Sequence, residues 1–364
     1  METHKQFLRY FVALGMAVLV LNASSFSQST KTDSGLKCAS SAVRLKPAGQ
    51  ASDYGIMRSS DNGRTWTKVV NDSGAIQSMA EVSSDRVFAG TSRALQGPQM
   101  QLGLLRSEDE GSRWTRSSVC SDGTDLSDMR SILSLTDGHL LAGGGRGVFR
   151  SDDYGETWAA LNRGLPEGAG SNVQFLTASS QGVFLAATYD GIVRWEKKGM
   201  WVPAGLKGVP VNVVLVSPKG TLLAGSGGKG MYRSTNEGTT WKPLSLVPGR
   251  VWVSAMASDS HGHLYAGIAD HGVYRSDDDG ISWKRLQIPG SKLQVYALAT
   301  NGRGGVFAAI GNCCPVQSVN LLRSPDFGST WTRILEMHDT DVAIGAVIIT
   351  RQGTLLVGLN SVGE

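Results

Sequence analysis

An eight-residue string, Ser-x-Asp-x-Gly-x-x-Trp, recurs along the chain and sets its architecture. It appears first as Ser59-Ser60-Asp61-Asn62-Gly63-Arg64-Thr65-Trp66 and returns at Ser107 to Trp114, Ser151 to Trp158, Ser276 to Trp283 and Ser324 to Trp331. At Ser234 to Trp241 the acidic position is Asn236, and a decayed copy, one residue short, runs from Trp195 to Trp201. The starts at 59, 107, 151, 195, 234, 276 and 324 are separated by 48, 44, 44, 39, 42 and 48 residues. Self-similarity at such a period marks a repeat architecture, in which each unit buries its apolar face against its neighbours.

Each copy sits in a longer frame. A β-rich segment precedes it, such as Gly147-Val148-Phe149-Arg150 or Gly272-Val273-Tyr274-Arg275. Before that lies a run like Thr221-Leu222-Leu223-Ala224-Gly225 or His263-Leu264-Tyr265-Ala266-Gly267, and before that an apolar strand like Val253 to Ala257. A fourth strand follows the Trp. With strands A to D in chain order, four short strands per period, glycine-rich turns and no helical periodicity predict an all-β chain of propeller blades. The first copy, from Tyr54, has strands C and D but no A or B before it. The C-terminus has an A strand (Ala343 to Thr350) and a B strand (Thr354 to Gly358) with nothing after them. The two ends are therefore expected to complete one blade together, giving seven four-stranded antiparallel blades over residues 54–364 at about 44 residues each. Closure of that kind leaves few free sheet edges.

The segment before the ring reads as targeting sequence. Lys5 and Arg9 precede the apolar run Tyr10 to Leu21, and small residues follow from Asn22 to Gln28. This is the charged, apolar and small-residue order of a secretory signal over residues 1–27, with cleavage expected after Ser25 or Ser27. The alternative is an uncleaved anchor, for which the apolar run is short. Residues 28–53 form a polar, Ser-rich lead-in. No later stretch resembles a transmembrane helix, so the mature protein is expected to be exported, periplasmic or extracellular, and monomeric. The 35 basic and 31 acidic residues nearly balance, and a net charge of +4 argues against nucleic acid as a partner. A hydrophobic content of 41% argues against disorder.

The chemistry of the motif is that of a turn. Ser and Asp side chains accept backbone N–H bonds, Gly supplies positive φ, and the Trp covers the hairpin base. A feature present in every blade is scaffold, so Asp61, Asp109, Asp153, Asn236, Asp278 and Asp326 are assigned structural roles. A calcium loop would need more oxygen ligands than one Asp per turn provides. Arg58, Arg106, Arg150, Arg194, Arg233, Arg275 and Arg323 each stand directly before a copy and are read in the same way, as stems packed between blades with heads bonded to carbonyls or carboxylates.

The motif copies over residues 54–364 resemble the Asp-box, or bacterial neuraminidase, repeat. That repeat occurs in sialidases, xyloglucan-degrading propellers, sortilin-type receptors and photosystem II assembly factors. Sialidases have six blades, a Phe/Tyr-Arg-Ile-Pro segment, an Arg triad and a Tyr nucleophile. The nearest string here, Val43-Arg44-Leu45-Lys46-Pro47, has an extra residue and precedes the first blade. Seven blades and export are most similar to the photosystem assembly type and its relatives outside photosynthesis, and the resemblance implies a binding protein.

Function is expected where the repeat is broken. C–D and A–B turns share one face of a propeller, and B–C and D–A loops share the other, where the long loops Ser92 to Gly103 and Gly311 to Asn320 lie. Candidate partner-binding residues on that face are Arg146, Tyr189, Asp190, Lys229, Arg250, Trp252, Asp270 and His271, with Asp339 beside them. Trp252, the one Trp outside the motif copies, would stack on a sugar ring or a partner side chain, or else plug the core. Asp190 and Asp270 are the available pair of carboxylates for glycoside hydrolysis, although Asp-Gly and Asp-His-Gly are also ordinary turn strings. Cys38, Cys120, Cys313 and Cys314 fall on the same face and suggest two disulfides, with three connectivities open. A vicinal Cys313–Cys314 bridge and metal binding by that pair are the alternatives. No string points to a metal or a cofactor, and none is expected. The leading expectation is an exported, non-catalytic propeller that binds a protein or glycan partner on the B–C/D–A face. A diverged, sialidase-like glycoside hydrolase is the alternative, and a purely structural envelope component is a third reading.

Overall fold

The computed structural model describes residues 38–39, 43–44, 54–71, 74–92, 103–117, 126, 128–135, 138–249, 251–289, 293–312, 318–338 and 342–361. Two short strands come first, β1 (Cys38–Ala39) and β2 (Val43–Arg44). The outer half of blade one follows as β3 (Gly55–Ser59) and β4 (Thr67–Asn71). Blade two is β5 (Ala75–Glu81), β6 (Val87–Ser92), β7 (Leu104–Ser107) and β8 (Thr115–Ser117). Blade three is β9 (Met129–Ser134), β10 (Leu140–Gly144), β11 (Gly147–Ser151) and β12 (Thr157–Ala160). Blade four is β13 (Val173–Ala178), β14 (Phe184–Thr188), β15 (Gly191–Glu196) and β16 (Met200–Pro203). Blade five is β17 (Val211–Val216), β18 (Leu222–Ser226), β19 (Met231–Ser234) and β20 (Lys242–Leu244). Blade six is β21 (Val253–Ser258), β22 (Leu264–Ile268), β23 (Gly272–Ser276) and β24 (Lys284–Arg285). Blade seven is β25 (Leu293–Thr300), β26 (Val306–Asn312), β27 (Ser318–Ser324) and β28 (Thr332–His338). Finally β29 (Val342–Ile349) and β30 (Leu355–Ser361) return to blade one.

The seven sheets are antiparallel, and the closing sheet has the order β29-β30-β3-β4. β3 pairs with β30 from Gly55 opposite Leu359 to Ser59 opposite Leu355, so the two ends of the ring meet in one blade. The segment read as a lead-in also contributes. β1 pairs with β12, and β2 with β8, which adds a fifth, outermost strand to blades three and two. No helix among the described residues is long and apolar enough to cross a membrane.

The core is divided among the seams between blades. One cluster joins Val213, Leu215 and Leu223 of blade five to Val253, Met256 and Leu264 of blade six. Another joins Phe307, Val319 and Leu321 of blade seven to Ile344, Val347 and Val357 of blade one. Each inner strand alternates its buried side chains between the two seams that flank it, as a period of two requires. The recurring Ala-Gly of the B strands has a packing reason. The B-strand residues Gly358, Gly90, Gly143, Ala187, Gly225, Gly267 and Ala309 hold equivalent positions beside the inner strand. A Cβ on Gly225 would lie 2.6 Å from Val253 Cγ1, one on Gly267 2.5 Å from Val295 Cγ1, and one on Gly358 2.4 Å from Ile76 Cγ2. At the glycines, the missing side chain is the seat for an apolar residue near the start of the next blade's inner strand, Val253, Val295 or Ile76.

Gly225→Ala and Gly267→Ala are each expected to destabilise the protein by about 1–3 kcal/mol, the usual cost of overpacking a tight core. Denaturant unfolding measures this, and unchanged midpoints would refute the seat.

Candidate functional site

The motif turns use their polar groups internally. In the first copy Ser59 Oγ donates to Asp61 Oδ1 at 2.7 Å and accepts the Gly63 amide at 2.9 Å. Asp61 Oδ1 accepts the Arg64 and Thr65 amides at 3.0 and 2.9 Å, and Oδ2 accepts the Thr65 hydroxyl at 2.6 Å. The Thr65 hydroxyl and amide, with the Ser59 hydroxyl, hold the Asp61 carboxyl well below the usual carboxylate range. At Asp278 burial opposes ionisation, but the Ser282 hydroxyl and amide and the Ser276 hydroxyl outweigh it and draw the pKa down to about 2. Asn236 keeps the same frame without a charge, accepting from Ser234 and from the Thr240 amide at 2.9 Å and donating through Nδ2 to the Thr240 hydroxyl at 2.9 Å. The indoles of the six full-length copies close on their own turns, some reach the preceding blade, and the Trp201 indole of the decayed copy bonds Leu161 O there instead. Trp66 Nε1 donates to Gly63 O and Ile334 O, and Trp241 Nε1 to Gly238 O and Ala204 O.

Glycine is only half of the turn's positive φ. The residue before it is also left-handed in six copies, at Asn62, Glu110, Tyr154, Glu237, Asp279 and Phe327. These positions clasp the preceding blade. Arg58 Nε donates to Glu110 O at 3.1 Å, Arg233 Nε to Asp279 O at 3.0 Å and Arg275 Nη1 to Phe327 O at 2.9 Å. Arg106 instead pairs with Glu108 and Glu156.

The opposite face is built differently. Every inner strand carries a β-bulge near its start, where the ladder skips one residue. The skipped residues are Gln77, Arg130, Gln174, Asn212, Ser254, Tyr296 and Gly345, in blades two to seven and then one. Each is half-buried while the residue before it is fully buried. A bulge re-aims a side chain, and the bulges stand at the same height of all seven strands, at the B–C/D–A mouth of the propeller, six of them carrying a side chain and the seventh being Gly345. Several of these residues also stitch neighbouring blades. Asn212 Nδ2 donates to Val253 O at 3.1 Å, and Ser254 Oγ to Val295 O at 2.5 Å.

The densest part of the ring centres on Arg130. Its Nε and Nη2 pair with the two Asp128 oxygens at 2.9 and 3.1 Å, and its Nη1 donates to Asn172 Oδ1 at 3.1 Å and the Tyr189 hydroxyl at 3.4 Å. Gln174 Nε2 donates to the same Asn172 oxygen at 2.6 Å. Burial opposes the Arg130 charge, but the bonds and charge of Asp128 outweigh it, and its pKa is raised. Asp128 is left-handed at φ 63°, and the run Gly143-Gly144-Gly145 makes room for it, since a Cβ on Gly144 would lie 1.7 Å from its carbonyl oxygen.

The candidates named from sequence are distributed around this mouth. Tyr189 and Trp252 are exposed, the indole at 47%. The Trp252 carbonyl accepts the Ala269 amide at 3.0 Å, and its backbone bridges to Gly227. Asp190 Oδ1 accepts the Gly208 amide, and Lys229 Nζ donates to the Gly208 carbonyl, both at 3.0 Å, so these two meet at one loop residue. Asp270 is left-handed and exposed, and the His271 amide donates to Ile268 O, which is turn geometry. Arg146 is exposed on the B–C turn of blade three. Arg250, Asp339, Cys120, Cys313 and Cys314 lie outside the described residues, and of Cys38 only the backbone is described. Among the described residues no group of three or more His, Cys, Asp or Glu side chains is arranged to hold a metal ion. Sequence reading missed Asp128, Arg130, Asn172, Gln174, Asn212 and Tyr296. For Arg130, Gln174, Asn212 and Tyr296 the signal available was a polar residue directly after a buried apolar residue near the start of an inner strand, as in Val211-Asn212-Val213, whereas Asp128 and Asn172 stand just before their strands and carried no such signal.

No family model matches the sequence, and no curated protein does. The fold is found among solved structures. YCF48 bound to a D1 peptide matches with a TM-score of 0.57 and 18% identity, over 86% of this chain and 98% of that one. A streptogramin B lyase matches with a TM-score of 0.59 and 13% identity, over 80% and 94%. The GH74 xyloglucanase from Xanthomonas campestris matches with a TM-score of 0.54 and 14% identity, over 82% and 67%. At these identities the likeness is one of fold, shared by binding proteins and enzymes.

The motif carboxylates link stability to acid. Their folded pKa values are lowered, so the stability they contribute is present above the unfolded value of about 4 and is lost as pH falls towards about 2. Denaturant midpoints measured across that window should fall steadily. Asp278→Asn, which can adopt the Asn236 frame, should fold and show a shallower fall, whereas an unchanged slope would contradict the assignment.

Proposed function

We propose that this chain is an exported, non-catalytic propeller that binds a protein or glycan partner at the B–C/D–A mouth of its channel. The observation that carries the reading is the ring of seven bulges at one mouth, six of which release a half-buried side chain there. On the other face the motif side chains are committed to their own turns and to the adjoining blade. A similar fold holds a peptide in YCF48, which supports a binding role without deciding the partner here. The two carboxylates considered for hydrolysis do not favour catalysis, because Asp190 is spent on the Gly208 amide and Asp270 stands in an ordinary turn.

Capture from the native envelope fraction tests this, with the purified protein, Trp252→Ala and Ile281→Ala as baits. Ile281 is exposed on the opposite face. The expected result is a saturable partner lost with Trp252→Ala and retained with Ile281→Ala. Equal capture by all three baits would overturn the reading. So would turnover of a fluorogenic sialoside or xyloglucan that Asp190→Asn or Asp270→Asn abolishes.

A further inference from the structure

At the mouth of blades five and six, one glycine is flanked by an exposed indole and a primary amide. A Cβ on Gly227 would lie 3.5 Å from the Trp252 ring edge and 3.4 Å from Asn212 Oδ1. These are ordinary contact distances, and the Gly227 φ is not in the left-handed region, so a side chain would fit there without strain. The position is therefore bare although neither backbone conformation nor packing requires glycine. Asn212 spends Nδ2 on Val253 O, which fixes the amide plane. The Trp252 backbone is held by Gly227 and by the Ala269 amide, with the ring edge towards Gly227, and exposed Asp270 directly follows Ala269 in the chain.

We propose that Trp252, Asn212 and Asp270, around the bare Gly227, form a subsite for a neutral sugar ring. The inference rests on the reading of this face as the binding face and names its ligand class. An indole gives a flat, rigid platform for the C–H face of a pyranose, and an amide and a carboxylate supply directional partners for its hydroxyls. The electrostatics select against anions. Among the described residues the Asp270 carboxylate would repel a uronate, sialate or phosphate, Arg130 is paired with Asp128, and the Lys229 ammonium, which keeps its charge, is directed onto Gly208 O. The apolar surface is too sparse for the core of a protein interface. Among the described residues the exposed large apolar side chains of this face are Tyr189 and Trp252, against the contiguous aromatic and apolar centre that protein partners bury.

Calorimetric titration of the purified protein with cello-, manno-, malto- and laminari-hexaose, and with oligogalacturonate as the anionic comparison, tests the subsite. The expected result is saturable binding of at least one neutral hexaose and none of oligogalacturonate. Trp252→Ala should weaken that binding at least tenfold and Trp252→Phe only a few-fold. Gly227→Leu, which places a side chain over the platform, should abolish binding with an unchanged unfolding midpoint. Binding that survives Gly227→Leu, or preference for the anionic probe, overturns the subsite. If no neutral hexaose binds while envelope capture still depends on Trp252, the sugar inference fails and the binding face stands. If hexaose binding ignores Trp252 and capture does too, both fail.

Discussion

A propeller stands or falls on how closely neighbouring blades approach, and here that approach is set by a side chain that is absent. Each B strand offers a glycine or alanine where the next blade's inner strand begins, and an apolar residue such as Val253, Val295 or Ile76 occupies the space. Because the core is split among seven seams, no single blade buries enough apolar surface to stand alone. The closing blade therefore matters as much as any other. Its β3–β30 ladder joins segments from opposite ends of the ring, and the seams on either side of it are as apolar as the rest.

The same close approach explains why the two faces differ. On the face of the motif turns, the chain spends its polar side chains on hairpins and on clasps such as Arg233 to Asp279, and pays for left-handed backbone at non-glycine residues to do so. On the other face the inner strands must bend into the seam as they start, and each releases one residue from the ladder. Six of the seven released residues are polar or aromatic with polar tips, and the seventh is Gly345, where a Cβ would lie 2.4 Å from Ile76 O. The scaffold thus places variable side chains at fixed heights around an opening, which is what a recognition surface requires.

The ring was legible in the sequence because its determinants are local and repeated. Glycine, aspartate and tryptophan at fixed offsets define a turn wherever they occur, and the unpaired half-blades at residues 54–71 and 342–361 imply closure by elimination. The candidate site was legible only in part. Tyr189 and Trp252 drew notice as aromatic residues in loops, but the bulge residues share no identity, since a Gln, an Arg, an Asn, a Ser, a Tyr and a Gly are released by the same backbone event. A bulge depends on register against a partner strand and leaves no composition of its own. The clasps were hidden for a related reason: Glu110, Tyr154 and Phe327 have no intrinsic preference for left-handed backbone, and each adopts it in a motif turn whose amide at that position bonds the A–B turn of the same blade. The edge strands β1 and β2 come from a segment whose polar composition carries no strand signal.

The seat between blades is tested most directly by a double-mutant cycle on Gly225 and Val253, read by denaturant unfolding. Gly225→Ala alone forces a methyl group against the valine. In a Val253→Ala background the space is already vacated, so the added methyl group should cost little. The account predicts that the two changes are strongly non-additive, with a coupling of about 1 kcal/mol or more in favour of the double variant. Simple additivity would mean that Gly225 is not the seat of Val253, and that something else sets the spacing of the blades.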